Sequence, residues 1–459
     1  MVEFAIPSII GLVVNGLYMI INSIFLGYSV GSVGVAVSTI AMPIMLFSMS
    51  VGVLIGGGGN ALIALRLGEG KIKDAQKVLG NALTLTIIAA VICTLGVYVF
   101  EGPILRLSGA TGEVWAESSL FIRIIAGGFI LQFFGMGFNN FIRTAGDPNR
   151  ALYTMVAGTV VCIAANFLLV MVLHLGFVGS ATATLTGQAV TAVMVFWYFA
   201  FSKKAPFKLL ARNMRLKLHF VRMILVLGSA SFVLQVSAAV INLLSNSHLV
   251  ALGATTPLGS QGALVAFGVA YRVATFVLFP IQGVATAALP LFGYNYGATH
   301  YHRVKKTFQV ALIWVISIGV FFWVLIHVIP GPIAGLFSVK ADLLTFTTRA
   351  LTVQLFMMPV LGIQTISSTY FQASGQPLKS MFLSLTRQIL FLIPLIFVMP
   401  YIFTLLVPGA MPLEGFFYAF PVADGMSILV SIAFMTVEIR KLNRKIHLQN
   451  KPQPVIEAA

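Results

Sequence analysis

Six polar side chains in the first half of the sequence lie inside long apolar stretches. They are Asn22, Asn139, Asn140, Asn166, Thr184 and Thr186. A polar group in the hydrocarbon of a membrane must find a partner, so we expect these side chains to face the protein interior. With a helical rise of about 1.5 Å per residue, Asn22, Asn166 and Thr184 lie roughly 6 to 12 Å from the outer ends of their predicted helices. The sequence therefore predicts a polar cluster of neutral oxygens and amides at this level.

Asp424 is the one acidic residue predicted to lie deep in an apolar stretch. The other acids among the 12 Asp and Glu fall in predicted loops, at helix ends or in the tail. A carboxylate near the middle of a membrane costs several kcal/mol unless it is paired or protonated. Asp424 is therefore either a coupling residue or half of a buried ion pair. Arg272, at a depth of about 12 Å against about 15 Å for Asp424, is the expected partner, and we favour the ion pair.

Other kinds of site have little support in the sequence. No segment combines a Ser/His/Asp order, an HExxH pattern or a pair of carboxylates, and we do not expect an enzyme. Cys93 and Cys162 both fall in apolar stretches, which argues against a disulfide framework or a cysteine metal site. The run Gly56–Gly59 lies within a predicted span, where close helix packing is a better interpretation than phosphate binding. We predict no metal and no organic cofactor.

The composition indicates a polytopic membrane protein. Hydrophobic residues make up 59% of the chain, charged residues 9%, and the mean hydropathy is +0.99. Twelve stretches are long enough to cross about 30 Å of hydrocarbon. They lie at 4–27, 37–65, 78–100, 119–142, 153–173, 180–201, 223–249, 264–290, 308–330, 348–371, 384–405 and 414–437. We predict an all-α fold with twelve transmembrane helices, embedded in a lipid bilayer.

The basic residues lie almost entirely in alternate loops. Of 28 Lys and Arg, 22 lie in the loops after even-numbered helices and in the C-terminal tail. This distribution follows the positive-inside rule and predicts that both termini are cytoplasmic, in an inner (cytoplasmic) membrane. The net charge of +16 is thereby explained by membrane orientation, and nucleic acid is not an expected partner.

The two halves of the chain carry related motifs. Residues 146–150 (GDPNR) correspond to residues 375–379 (GQPLK), and residues 67–69 (LGE) correspond to residues 296–298 (YGA), both at an offset of 229. Internal repeats of half the chain length are common in transporters, in which the substrate site lies between the repeats. We predict a first lobe at 1–201, a basic linker at 202–222, a second lobe at 223–437 and a basic cytoplasmic tail at 438–459. The linker either lies on the anionic membrane surface as a helix or serves only to orient the chain.

These motifs resemble those of the multidrug and toxic compound extrusion (MATE) family over essentially the whole chain. The resemblance rests on residues 17–27 (LYMIINSIFLG), 61–83 (ALIALRLGEGKIKDAQKVLGNAL), 138–153 (FNNFIRTAGDPNRALY), 289–298 (LPLFGYNYGA) and 371–388 (FQASGQPLKSMFLSLTRQ). It implies two six-helix lobes arranged in a V. It also implies export of small lipophilic cationic drugs in exchange for H⁺ or Na⁺, and we expect a monomer.

The resemblance further implies that the six polar residues named first form the cation-coupling site, with Pro7 as a hinge. Members of this type usually have an aspartate where this chain has Asn22, and protonation of that acid is thought to bend the first helix at the proline corresponding to Pro7. Several relatives have a further acid where Val170 stands. Two interpretations remain open. Either ion coupling runs through Asp424, or the chain is a coupling-defective form with Asn22 in place of the acid. The alternative function is that of a related lipid-linked oligosaccharide flippase, which would need a strongly cationic cavity.

Overall fold

In the computed structural model, the structure describes residues 1–108, 113–337 and 341–449, without the side chains of residues 18–36, 38, 39, 42, 107, 113, 341 and 342. The helices are α1 (Val2–Gly68), α2 (Ile72–Val99), α3 (Glu101–Leu107), α4 (Glu113–Gly127), α5 (Phe129–Thr144), α6 (Pro148–Asn166), α7 (Gly176–Phe201), α8 (Leu218–Ala254), α9 (Gly259–Gly297), α10 (Tyr301–Val328), α11 (Pro330–Gly335), α12 (Ala341–Gln354), α13 (Met358–Ala373), α14 (Pro377–Leu385), α15 (Ile393–Leu406) and α16 (Pro412–Gln449). Two π-helical segments, Phe167–Val172 and Thr386–Leu392, follow α6 and α14 directly.

The fold is an all-α membrane architecture, as predicted. Within the described residues, nine helices are long and apolar enough to cross a membrane, and two bent helix pairs bring the number to eleven. Val2–Leu17 is a shorter apolar helical stretch. The twelve predicted apolar stretches therefore all correspond to helical segments or to bent helix pairs.

The element α1 is much longer than either of the two spans predicted there, because its backbone is helical from Val2 to Gly68. Its contacts show that it folds back on itself. A Cβ on Gly283 of α9 would touch Ile9, and one on Gly297 of the same helix would touch Leu65. Gly283 and Gly297 are about 21 Å apart along α9, whereas Ile9 and Leu65 would be about 84 Å apart in a straight helix. The two arms of α1, Val2–Leu17 and Pro43–Gly68, therefore run in opposite directions.

The linker between the halves is docked against α2. Apart from a 3₁₀ turn at Ala211–Asn213, residues 203–217 are not helical. Asn81 of α2, which is 1% exposed, accepts a hydrogen bond from the backbone N–H of Lys217 at 2.7 Å and donates to the carbonyl of Asn213 at 3.3 Å. Phe207 is fully buried. The interpretation as a helix on the membrane surface is therefore wrong, because this segment is not α-helical and its backbone is bonded to α2.

The apolar cluster shared by the two halves lies at one end of the molecule, and the first arm of α1 adds contacts with α9 further along that helix. We call the end that carries the linker the linker end and the opposite one the distal end. One apolar cluster at the linker end contains residues of both halves, among them Leu62, Phe141, Ile224, Phe292 and Tyr370. The other three clusters each belong to a single half, the first to residues 37–181 and the other two to residues 241–423. The described residues therefore form a V that is joined at the linker end.

The repeat is visible in the helix geometry. Helices α4 and α5 meet at 50° next to Gly128, and α12 and α13 meet at 43° beside Met357. Gly128 and Met357 are 229 residues apart, which is the offset of the sequence motifs. The fourth span of each half is thus bent at the same place, and the following span of each half contains a π-helical segment.

Candidate functional site

Asn166 and Thr184 lie at one level on neighbouring helices. Gly187 of α7 packs against Cys162 of α6, and the two helices are antiparallel. One turn forward along α6 from Cys162 is Asn166, and one turn back along α7 from Gly187 is Thr184, so these two residues lie at the same level. Asn166 is 1% exposed and donates from Nδ2 to the carbonyl oxygen of Cys162 at 3.1 Å. Its buried Oδ1 has no hydrogen-bond partner among the residues that the structure describes. Asn166 is the last residue of α6 and directly precedes the π-helical segment Phe167–Val172. Short π-helical segments are often found at functional sites.

The other predicted members of this cluster lie elsewhere or outside the description. Asn22 lies within α1, among the residues whose side chains the structure does not describe. Thr186 is exposed and donates to the carbonyl of Thr182 in its own helix. Thr184 is buried and donates to the carbonyl of Ser180 at 3.0 Å.

Asn139 and Asn140 belong to a separate buried network near the linker end. Arg143 donates from one nitrogen to Oδ1 of Asn139 at 2.8 Å and to Oδ1 of Asn140 at 2.7 Å. Asn139 in turn donates to the carbonyl of Ala151 at 2.9 Å and to the hydroxyl of Thr154. Ala151 and Asn166 are about 22 Å apart along α6. The structure therefore does not gather the six predicted residues into one site.

Arg143 is a basic residue near the end of α5, yet it is 2% exposed. Its position in the sequence gave no signal of burial, because basic residues at helix ends usually orient the chain. The second half has a reduced copy of this network. Ser368, at the position equivalent to Asn139, donates to the carbonyl of Ser380 and lies 2.9 Å from the hydroxyl of Ser384. These contacts fix α5 against α6 and α13 against α14.

Asp424 forms a buried ion pair, but with a different partner from the one predicted. Arg387 donates from Nε to Oδ1 of Asp424 at 2.6 Å, and both side chains are largely buried. Arg272 is exposed on α9. The prediction of a structural pair is thus supported and the choice of Arg272 is wrong. Depth along a helix gives the level of a residue in the membrane but not the direction in which its side chain points. Arg387 lies in the π-helical segment Thr386–Leu392 and contacts α16 from there.

A second buried acid, Glu438, lies near the linker end of α16. Its Oε1 accepts from the amide of Gln376 at 3.0 Å and from the hydroxyl of Tyr370 at 3.3 Å, while Oε2 pairs with Lys379 at 3.2 Å. Glu438 is 4% exposed. The sequence placed it in the tail, but α16 continues past residue 437 to Gln449. This network attaches the 375–379 loop to the last helix.

Pro7 is buried within the first arm of α1, and the backbone remains helical on both sides of it. Proline removes one backbone hydrogen bond and so locally weakens a helix. The same arm packs against both halves of the molecule, because Gly11 contacts Met155 of α6 and Gly16 contacts Phe279 of α9. Pro7 is therefore in a position from which a bend would change contacts with both lobes.

Glycines allow the lobes to approach closely at the linker end. A Cβ on Gly58 of α1 would clash with the carbonyl oxygen of Ile224 in α8, and one on Gly228 would clash with that of Leu54. Likewise, a Cβ on Gly68 would clash with the carbonyl of Tyr294. The described residues close the molecule at this end.

Two repeated helical halves, joined at one end and carrying buried polar residues in their spans, define a membrane protein with the architecture of a secondary transporter. The MatE family model matches residues 7–168 and 237–398. The chain belongs to this family. The second match begins 230 residues after the first (237 against 7), close to the offset of the sequence motifs.

Three comparisons describe its similarity to known proteins. The multidrug export protein MepA of Staphylococcus saprophyticus is 24% identical over 407 residues, which cover 88% of each chain. The MATE multidrug transporter DinF-BH, solved as a complex with a ligand, is 31% identical, with a TM-score of 0.84 over 94% of both chains. A multidrug resistance MATE transporter in an outward-facing conformation has a TM-score of 0.89 at 22% identity, with 96% of both chains covered, and it shows the shared fold.

Proposed function

We propose that this protein is a multidrug efflux antiporter that exports lipophilic organic cations in exchange for H⁺. Family membership supports transport, and the names of MepA and DinF-BH support multidrug export as the class of activity. The bias of basic residues supports an orientation in which the linker end and both termini face the cytoplasm. We propose a monomer in the cytoplasmic membrane, with the lobes at 1–201 and 223–437 moving against each other.

The observation that carries this proposal is the buried Oδ1 of Asn166, which has no hydrogen-bond partner among the side chains that the structure describes. A buried acceptor without a donor costs roughly 1–3 kcal/mol, so this position favours a state in which a donor is supplied. A protonated carboxylic acid is such a donor, and so is the carboxamide of Asn22. Thr184 contributes a hydroxyl at the same level.

Asn22 matches the neutral form of an aspartic acid in shape and charge but cannot release a proton. The predicted depth of position 22 is similar to that of Asn166 and Thr184, and an aspartate buried at this level would load and release a proton as the lobes move. The two protonation states must prefer different conformations for this to drive transport. We therefore propose that Asn22 holds the protein near the proton-loaded state at every pH, with Pro7 as the point where the first arm bends.

The described residues give less support to coupling through Na⁺ or through Asp424. A Na⁺ site prefers charged oxygen ligands, whereas Asn166 and Thr184 offer only neutral ones. Asp424 accepts a hydrogen bond from Arg387 at 2.6 Å, so coupling through Asp424 would require this buried ion pair to break. A structural role for this pair fits its contacts better than a coupling role.

The test is efflux from membrane vesicles under a proton or a sodium gradient, with the chain as given and with Asn22→Asp. We expect Asn22→Asp to give efflux of ethidium driven by the pH gradient, and the chain as given to give much less. On the Asn22→Asp background, Asn166→Ala should reduce coupled efflux, while Thr186→Ala should leave it unchanged because Thr186 is exposed and bonded within its own helix.

Two results would contradict parts of this proposal. If the chain as given already transports at full rate under a proton gradient, the coupling site is not the one proposed. If several cationic dyes accumulate equally in cells with and without the Asn22→Asp protein, the flippase becomes the better interpretation.

A further inference from the structure

A basic pocket lies between the linker ends of α10 and α16, away from the coupling region. Its volume is about 600 Å³, and His302, Lys305, Lys306 and His447 line it together with Gln309 and Asn443. None of the described side chains that line it is acidic. The nearest acid along α16, Glu438, is buried and faces Lys379 and Gln376 instead. The pocket therefore presents positive charge that no carboxylate on its walls neutralises.

The two walls of the pocket are held together. Lys305 donates from Nζ to Oδ1 of Asn443 at 2.9 Å, which joins α10 to α16 across the pocket. Lys445 lies over the rings of Tyr296 and Tyr301, at 5.1 and 4.8 Å, and donates to the hydroxyl of Tyr296. These contacts fix the end of α16 beside the start of α10, so the pocket is a formed feature and not a chance meeting of flexible lysines.

The pocket lies at the level where the hydrocarbon ends. Helix α10 has 28 residues, whereas about 20 residues are enough to cross the hydrocarbon. Centring the span on this helix places Lys305 and Lys306 at the boundary. Helix α16 has 38 residues and extends beyond the same boundary, so Asn443 and His447 lie among the lipid headgroups or in water.

Apolar surface continues from the pocket towards the middle of the membrane. Ile313, two turns beyond Lys306 on α10, is 64% exposed, and Ile432 and Leu429 on α16 are 46% and 69% exposed. Helical spacing places these residues above Lys306 on α10 and above Asn443 on α16. The surface thus offers positive charge at the boundary and apolar side chains next to it in the hydrocarbon.

We propose that this pocket and the apolar groove above it bind one anionic phospholipid, with the phosphate beside Lys305 and Lys306 and the acyl chains along Ile313, Ile432 and Leu429. The occupant must be both anionic and apolar, because the two parts of the surface are contiguous. A free phosphate would use only the first part, and a zwitterionic lipid would not neutralise the pocket. Basic pockets at the membrane boundary bind anionic headgroups in this way.

The test uses the purified full chain in detergent, titrated with phosphatidylglycerol or phosphatidylcholine, with bound lipid counted by native mass spectrometry. We expect one phosphatidylglycerol to bind more tightly than any phosphatidylcholine. The double variant Lys305→Gln/Lys306→Gln should bind it about 30-fold more weakly, since each cation near an anionic lipid surface contributes roughly fivefold. Its melting temperature without lipid should change little, because a glutamine at position 305 still offers a donor to Asn443 and Lys306 is exposed.

The matched control is Lys203→Gln/Lys204→Gln, which removes the same charge from two adjacent exposed lysines in the linker. This variant should bind phosphatidylglycerol like the unmodified chain. Equal weakening by both variants would mean general attraction to the basic surface and would overturn the pocket. Displacement of the lipid by inorganic phosphate or glycerol phosphate at matched concentration would indicate a free-phosphate site and would also overturn the proposal.

Discussion

At the scale of single residues, the pair of Arg387 and Asp424 shows how a membrane protein accommodates a buried acid. An isolated carboxylate or guanidinium at this depth is costly, whereas a close pair with good geometry reduces the cost. The pair joins the π-helical segment after α14 to the last long helix. The pair therefore matters for stability mainly because removing one partner leaves the other charge buried and unpaired.

We predict that Asp424→Asn destabilises the protein by about 3–5 kcal/mol, because it leaves Arg387 buried without a counter-charge. The double variant Arg387→Met/Asp424→Leu should recover most of this loss. The measurement is the apparent melting temperature of the purified protein. As a control, Glu414→Gln removes the partner of the exposed Arg349 and should cost less than about 1 kcal/mol. A double variant as unstable as Asp424→Asn would show that the charges themselves are needed.

Glu69 offers a pH-dependent contact at the linker end. Burial acts to raise the pKa of Glu69, but hydrogen bonds from Lys71 and Arg66 outweigh it and hold the pKa below its ordinary value of 4.5. A lowered pKa stabilises the folded state above the ordinary value, and this contribution is lost as the pH falls through the folded pKa. Glu69→Gln should remove that part of the acid sensitivity, measured as melting temperature between pH 6 and pH 3. The effect should be below about 1 kcal/mol, because the pair is partly exposed.

Sequence reasoning reached some residue contacts and missed others for a physical reason. It identified Asp424 as the deep acid because a carboxylate within an apolar stretch is conspicuous. It named Arg272 as the partner instead of Arg387, because depth alone does not say which helices are neighbours. The burial of Arg143 and Glu438 was also missed. Their positions near helix ends are typical of solvated charges, and the partners of Glu438 come from elements other than its own helix.

At the scale of elements, the linker shows that a basic connection between two halves can be held against a helix by hydrogen bonds. Asn81 donates or accepts four hydrogen bonds, of which three go to the linker backbone at residues 213, 215 and 217. Thr84 donates to the carbonyl of Met214 at 2.7 Å. The alternation of basic and apolar residues predicted an amphipathic segment, but this pattern does not distinguish a lipid surface from a protein surface.

We predict that Asn81→Ala releases the linker from α2. The change leaves the N–H of Lys217 and the carbonyls of Asn213 and Arg215 without their partner, which should cost roughly 1–3 kcal/mol locally. Limited digestion with trypsin should then cut at Arg212 and Arg215 faster than in the unmodified chain. The control is Asn295→Ala, since the side chain of Asn295 bonds only to the carbonyl of Leu291 in its own helix. Equal cleavage rates in the two variants would argue against docking by Asn81.

At the scale of the whole molecule, the lobes are held together at the linker end by backbone contacts through glycine. Gly58 and Gly228 allow α1 and α8 to touch, while Gly68 and Gly297 do the same for α1 and α9. A gate made of such contacts can separate without breaking ion pairs. It is also intolerant of any added side-chain atom, because carbonyl groups of the facing helix fill the available space.

We predict that Gly58→Ala shifts the protein towards a conformation open at the linker end. The added methyl group would meet the carbonyl of Ile224, and such overpacking costs about 1–3 kcal/mol, or roughly five- to 150-fold in population. In a protein with Cys93 and Cys162 replaced by serine, cross-linking of a cysteine pair at Glu69 and Ala298 should slow by this factor. Gly57→Ala is the matched control, because its Cβ would lie 3.5 Å from Gln372 and Ser231. Slowing by both variants alike would mean a general effect on the helix.

The overall fold was predictable because few membrane-protein folds combine twelve apolar stretches with an internal repeat of half the chain length. Helix number, the two related halves and the separate linker all follow from apolar length and motif spacing. The bends near Gly128 and Met357 and the two π-helical segments were not predicted. They depend on contacts between helices, which single-sequence periodicity does not contain.

Gly68 and Gly297 occupy equivalent positions in the two halves, and each packs on the other's preceding turn, Gly68 on Tyr294 and Gly297 on Leu65. A contact of this kind is isologous, like the interface of a homodimer of half-length chains. In such a dimer every mutation would appear twice, once on each side of the axis. Fusion into one chain removes that constraint. The positions equivalent to Asp424 and Arg387 are Val195 and Gly158, so the second half has a buried charge pair where the first half packs without one.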